Sequence, residues 1–256
     1  MNKHLKQCRT FLLLCTAGLL ISACNSNPQK TASAPIQKPA KYPCVPFHNA
    51  TTGKLVQVIP GRIQNEYYDM LDVTDAEKAK GVEEGICYHD SEAINNGSGK
   101  LNKPGTYLSE FRMHESPDTS YTKFNNADVQ VDDHPFNFVK PEGNSLYLGW
   151  IDPGEWVNYT VTVKQTGYYA ISTMYTSKFG GHISFEVNGK DVSGPLEIPT
   201  TFVAADPIEW RQAHHWNKVS KLGKIYLSAG TQVLKLRFLD NPVMNFDYMD
   251  FEKISD

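Results

Sequence analysis

The chain has 256 residues, a formal charge of −3, 40% hydrophobic and 21% charged residues. Such a balance suits one folded domain with a full core, and the charge is spread without a basic block, which excludes the electrostatic footprint of a nucleic-acid-binding protein. No segment carries the unbroken apolar length of a typical membrane span.

Lys3, Lys6 and Arg9 precede an apolar stretch from Phe11 to Ile21, a pattern that reads as an export signal covering residues 1–23. The stretch ends in Leu20-Ile21-Ser22-Ala23-Cys24, which resembles the lipobox of bacterial lipoproteins. That resemblance implies acylation of Cys24 and attachment to a membrane by lipid alone, each buried CH₂ contributing roughly 0.8 kcal/mol. Asn25 after the cysteine, with no acidic residue there, is similar to outer-membrane sorting signals of some Gram-negative bacteria. Residues 24–41 are rich in Ser, Pro, Ala, Lys and Gln and predict a flexible tether, so the folded domain is expected over 42–256. Cys8 and Cys15 leave with the signal, which leaves Cys44 and Cys87. In an exported protein this pair suggests a disulfide, with two separate buried thiols as the alternative; no CxxC spacing supports zinc.

Arg62 to Asp69 reads as a first strand, Asp72 to Glu84 as a charged loop or short helix, and Asn95 to Asn144 as long loops with one or two short strands. From Trp156 the period is two: Val157, Tyr159, Val161 and Val163 alternate with more polar neighbours, predicting a strand with one face packed and one in water. Tyr168 to Thr176 and His182 to Val187 continue the pattern, the latter closing on the Asn188-Gly189 hairpin signal. Lys224 to Leu227, Val233 to Leu239 and Asn245 to Phe251 complete an all-β reading: a β-sandwich jelly roll with long loop insertions in its first half.

Three segments in order, Arg62 to Asp69, Leu148-Gly149-Trp150-Ile151-Asp152-Pro153-Gly154-Glu155-Trp156-Val157-Asn158-Tyr159-Thr160-Val161, and Asn245 to Phe251, resemble family 6 carbohydrate-binding modules and their relatives. Gly85 to Asp90 resembles a segment of the longer members. The resemblance implies a jelly roll that binds a polysaccharide or oligosaccharide and carries a structural calcium ion held by Gln64, Glu66 and Asp247, with Asp250 as second choice. It also implies a sugar site at the end loops or on a concave face. At the end loops, Trp150 and Trp210 would stack on sugar rings, Asn245 and His214 would add polar contacts, and Trp156 and Trp216 would belong to the core. Stacking suits the chemistry, because a pyranose presents a C–H face to flat aromatic rings.

No HExxH, GxSxG or phosphate-cradling loop occurs. His214 and His215, read as neighbours on a strand, point to opposite faces and do not form a chelating pair. Glu155, Asp152 and Glu66 supply the carboxylates of an alternative glycoside hydrolase or polysaccharide lyase. A structural lipoprotein serving protein contacts is a further alternative. The expectation is therefore non-catalytic carbohydrate binding at the outer membrane, in company with a glycan-degrading or uptake complex.

Overall fold

The computed structural model describes residues 41–50, 53–97, 111–121, 125–126, 129–130, 134–142 and 146–256. Cys24, the export signal, and most of the tether lie outside the described residues, as does part of the expected Asn95 to Asn144 loop region.

Thirteen strands among the described residues form two sheets: β1 (Gln57–Ile59), β2 (Gly61–Gln64), β3 (Tyr88–His89), β4 (Thr119–Tyr121), β5 (Leu146–Ile151), β6 (Trp156–Val163), β7 (Gly167–Ser177), β8 (Gly181–Val187), β9 (Lys190–Asp191), β10 (Leu196–Ile198), β11 (Asn217–Leu227), β12 (Gly230–Phe238) and β13 (Met244–Ser255). The first sheet runs β9-β8-β12-β6-β1, with β10 also on β8 and β3 also on β6. The second runs β11-β7-β13-β5-β4, with β2 also on β13. From β5 to β8 and again from β11 to β13, successive strands alternate between the sheets, as a jelly roll requires. Every pairing in these sheets is antiparallel except β6 with β1.

The inward side chains make one core between the sheets, including Val157, Tyr159 and Val161 of β6, Ile171 and Tyr175 of β7, Leu234 and Leu236 of β12, and Phe246 and Met249 of β13. Each such side chain gives about 1.5–3 kcal/mol when withdrawn from water. The period-two reading of β6 holds for its inner face but fails for its outer one, since Asn158 and Thr160 are buried too. The segment before β5 covers them: the Asp69 carboxylate accepts from Thr160 N–H at 2.8 Å and from Thr160 Oγ1 at 2.7 Å, and Asn158 Nδ2 donates to the Ile86 carbonyl. The Cys44–Cys87 disulfide, with Cα atoms 5.8 Å apart, fastens that cover to the core.

The expected first strand is shorter than Arg62–Asp69. It ends at Gln64, and Asn65–Tyr67 form a 3₁₀ turn. Asp75–Lys78 is a single helical turn with a Thr74/Glu77 capping box, matching the short helix read from its charged residues.

Candidate functional site

The outer face of the second sheet carries a separate apolar cluster of Tyr147, Met174, Trp216 and Tyr248, with Trp150 packed against it. Trp150, next to last in β5, has φ of +53°, a left-handed conformation that costs a tryptophan about 1–3 kcal/mol. Two features hold it there. Its N–H donates to Asn245 Oδ1 at 3.0 Å, and the preceding Gly149 leaves no room for a side chain, since a Cβ would fall 2.8 Å from that same oxygen and 2.7 Å from Tyr147 Cε2. Asn245 lies where the β13–β5 register shifts, between the Met244↔Ile151 and Phe246↔Leu148 pairs.

Around Trp150 the structure gathers the side chains singled out in the sequence. The His214 ring stands edge-on to Trp150, centroids 5.9 Å apart, and edge-on to Trp210 at 5.7 Å. Tyr147 stacks behind Trp150 at 6.3 Å and meets Trp216 at 5.2 Å. Trp150 is half-buried, Trp210 is 39% exposed, and His214 between them is 7% exposed. Burial, followed by His134 and His215, pushes the His214 imidazole down to about 4, so it is neutral at pH 7. Its buried Nδ1 has no hydrogen-bond partner among the described residues. The result is two partly exposed indole surfaces flanking a buried, neutral imidazole.

Asn245 lies beneath this platform rather than on it. It is 1% exposed, and its Nδ2 donates to Thr176 Oγ1 at 2.7 Å and to the Ala213 carbonyl at 2.8 Å, which commits both amide protons to the protein. Trp216 is fully buried, as core packing requires. Trp156, read as core, is instead half-buried on the outer face of the first sheet, with Lys235 Nζ 3.7 Å from its ring centre. His214 and His215 do not lie on a strand; they follow the 3₁₀ turn Trp210–Ala213 and precede β11. Their rings do part company, one toward the tryptophans and the other toward Asp206.

Of the three residues expected to hold a cation, Glu66 and Asp247 lie close enough to influence each other, and by a different route from the one the sequence suggested. Glu66 stands in the 3₁₀ turn, not two residues along a strand from Gln64. Glu66 and Asp247 are both buried, and burial, then the Asp247 charge, pushes the Glu66 carboxyl well above its usual range. Gln64 Oε1 and Glu66 Oε2 are buried without a hydrogen-bond donor among the described residues. Two buried acids and an amide oxygen make a hard donor set of the kind calcium takes. No group of three or more His, Cys, Asp or Glu side chains suited to a metal occurs among the described residues. Asp250, the second choice, is engaged elsewhere: it accepts from Arg62 Nε at 2.9 Å and Lys218 Nζ at 2.8 Å, and the Arg62 guanidinium lies 3.4 Å from the centre of the Tyr248 ring.

Of the carboxylates of the hydrolase alternative, Glu155 does structural work. Glu155 Oε1 accepts from Ser91 N–H at 2.9 Å and Ser91 Oγ at 2.7 Å, and Oε2 accepts from Asp152 N–H at 2.9 Å, closing the turn between β5 and β6. Sequence reading missed Asp90 and Asp118, which line a shallow pocket with Glu155, His89 and Trp156. Burial raises their carboxyls to about 8 and about 7. Their separation along the chain carries no motif, so only folding reveals them together.

Residues 137–253 match the family model of the carbohydrate binding module (family 6). No curated protein matches the chain. Among solved structures, a β-1,3-glucan-binding family 6 module from Bacillus halodurans is 18% identical, with 77% of this chain and 99% of that one covered at a TM-score of 0.44. A family 6 module of Cellvibrio mixtus lichenase 5A, in complex with cellotriose, is 23% identical, with 45% and 83% covered and a TM-score of 0.37. A family 35 module from Clostridium thermocellum is 19% identical, with 46% and 84% covered and a TM-score of 0.36. The family rests on the sequence match and not on these likenesses.

Proposed function

We propose, from the match of residues 137–253 to the model of carbohydrate-binding module family 6, that the protein binds a polysaccharide or oligosaccharide without cleaving it, between Trp150 and Trp210. The observation that carries this reading is the Trp150–His214–Trp210 arrangement, in which two partly exposed indoles are set about a buried neutral imidazole. The indoles supply C–H stacking surface, and the buried His214 ring fills the space between them and fixes their spacing. Asn245 acts through Trp150, by fixing its backbone. The middle of the second sheet's outer face is a poorer candidate, because Arg62, Lys218 and Asp250 form an ion cluster over Tyr248 there.

Calcium belongs to the same proposal. Gln64, Glu66 and Asp247 would hold it, and its charge would offset the cost of two buried acids. The non-catalytic reading is supported by the use of Glu155 as a turn clamp. We further propose that acylated Cys24 displays the domain at the outer membrane, on the strength of the Leu20 to Cys24 run; Cys24→Ala should then leave the membrane fraction, and a variant that still pellets after a carbonate wash would contradict it. A glycan array followed by calorimetry tests the binding. Trp150→Ala and Trp210→Ala should each weaken a positive signal by about tenfold or more, the loss of one stacked aromatic face. Release of new reducing ends or unsaturated products from the array hits would overturn the non-catalytic reading.

A further inference from the structure

The loop that carries Trp210 and His214 is closed by a buried charge cluster that sugar contact does not use. His215 is fully buried, and both of its ring nitrogens face acceptors: Nδ1 lies 2.8 Å from the Thr201 carbonyl oxygen and Nε2 lies 2.8 Å from Asp206 Oδ2. A neutral imidazole has one N–H and one lone pair, so either tautomer would set a lone pair against an acceptor in a site closed to solvent. Only the imidazolium, with two donors, satisfies both contacts.

Asp206 is the counter-ion. It is buried, and besides His215 it accepts from Arg211 Nε and an Arg211 terminal nitrogen at 2.7 Å each and from Ile208 N–H at 3.0 Å. Burial by itself would raise its carboxyl, but the Arg211 and His215 bonds outweigh that and hold it well below the usual range. The other groups facing His215 are His134, with ring centroids 5.5 Å apart, Phe136 at 5.8 Å, and the neighbouring His214. His134 and His214 are both pushed below the ordinary histidine range, chiefly by burial.

One ring thus ties the two ends of the loop together. Thr201 is itself anchored to the end of β7, its N–H donating to the Ser177 carbonyl at 2.7 Å and its Oγ1 accepting from Ser177 N–H at 3.0 Å. We infer that His215 is a positioning residue for the Trp150–Trp210 platform, that it acts as a buried imidazolium, and that loss of its second proton loosens the loop and weakens sugar binding. This rests on the platform reading above, and the test below separates the two.

Long-range ¹⁵N–¹H spectra of the full chain should show both nitrogens of His215 protonated where the protein binds. As pH rises and that second proton leaves, the Trp210 indole N–H resonance should shift. Affinity for a panel of cellotriose, xylotriose, laminaritriose and oligogalacturonate should fall in parallel by about tenfold for whichever probe binds, the value of one charge-assisted hydrogen bond. His215→Gln, checked by melting, should bind about tenfold more weakly and lose that pH profile. An unprotonated nitrogen on His215 in the binding state, or a Trp210 resonance indifferent to its titration, overturns the inference, and so does a folded His215→Gln protein with wild-type affinity and pH profile. If no probe binds while the Trp210 resonance still follows His215, the lock stands and the sugar reading fails. Should His215→Gln not fold, the wild-type spectra decide.

Discussion

Asn245→Ala separates a residue that holds the platform from one that touches sugar. The side chain makes three hydrogen bonds, a part-buried one to Trp150 N–H and buried ones to Thr176 Oγ1 and the Ala213 carbonyl. Thr176 Oγ1 and the Ala213 carbonyl keep each other as partners after the change, whereas Trp150 N–H is left with none from this side chain. Three net hydrogen bonds at about 1 kcal/mol each, with about 1 kcal/mol more for the orphaned donor, put the loss of stability at about 3–4 kcal/mol. Freed from Asn245, Trp150 can relax from its positive φ, and affinity should fall about tenfold with the platform's shape. Urea denaturation followed by fluorescence gives the first quantity, and calorimetry on the folded fraction gives the second. A stability loss below about 1 kcal/mol together with abolished binding would refute this reasoning, because the amide would then be acting on the sugar directly. Asn245→Asp keeps the acceptor for Trp150 but turns carboxylate oxygen toward Thr176 Oγ1 and the Ala213 carbonyl, and should be the less stable of the two variants.

Calcium at a hundred times its dissociation constant should stabilise the domain by about 2.7 kcal/mol, and a chelator should lower the melting temperature; an unchanged melt argues against the Gln64–Glu66–Asp247 site. In chelator, stability should fall as pH rises from about 4.5, because the raised Glu66 carboxyl keeps its proton in the folded state and loses it when unfolded; calcium should flatten that slope, and a slope of opposite sign would count against Glu66. His214 works in the other direction: with its folded value lowered to about 4, the unfolded chain takes up the proton first, so its contribution is present above about 6.5 and is lost as pH falls toward 4, and His214→Gln should remove that part of the titration. Reducing Cys44–Cys87, which span 43 residues, should cost about 4 kcal/mol on the chain-entropy account, read as a lower denaturation midpoint in reductant.

Alternation along Val157 to Val163 and the Asn188-Gly189 turn were sufficient to predict strands and a hairpin, because a pleat places every second side chain on one face whatever lies opposite it. The Leu148 to Val161 run likewise lies within the family-model match over residues 137–253 and placed Trp150 near the end of a strand. Local pattern does not record what covers the other face. Asn158 and Thr160 looked solvated until Asp69 and Ile86, distant in the chain, were found against them. Glu66 looked like a strand residue, but the chain turns at Asn65, and Tyr159 OH donates to the Asn65 carbonyl from the facing sheet. The role of His215 was hidden for the same reason: residue type does not say which acceptors meet a ring. Proximity between Thr201, Asp206 and His215 is set by the path of a whole loop, so the meeting of both ring nitrogens with acceptors is a property of the tertiary structure alone.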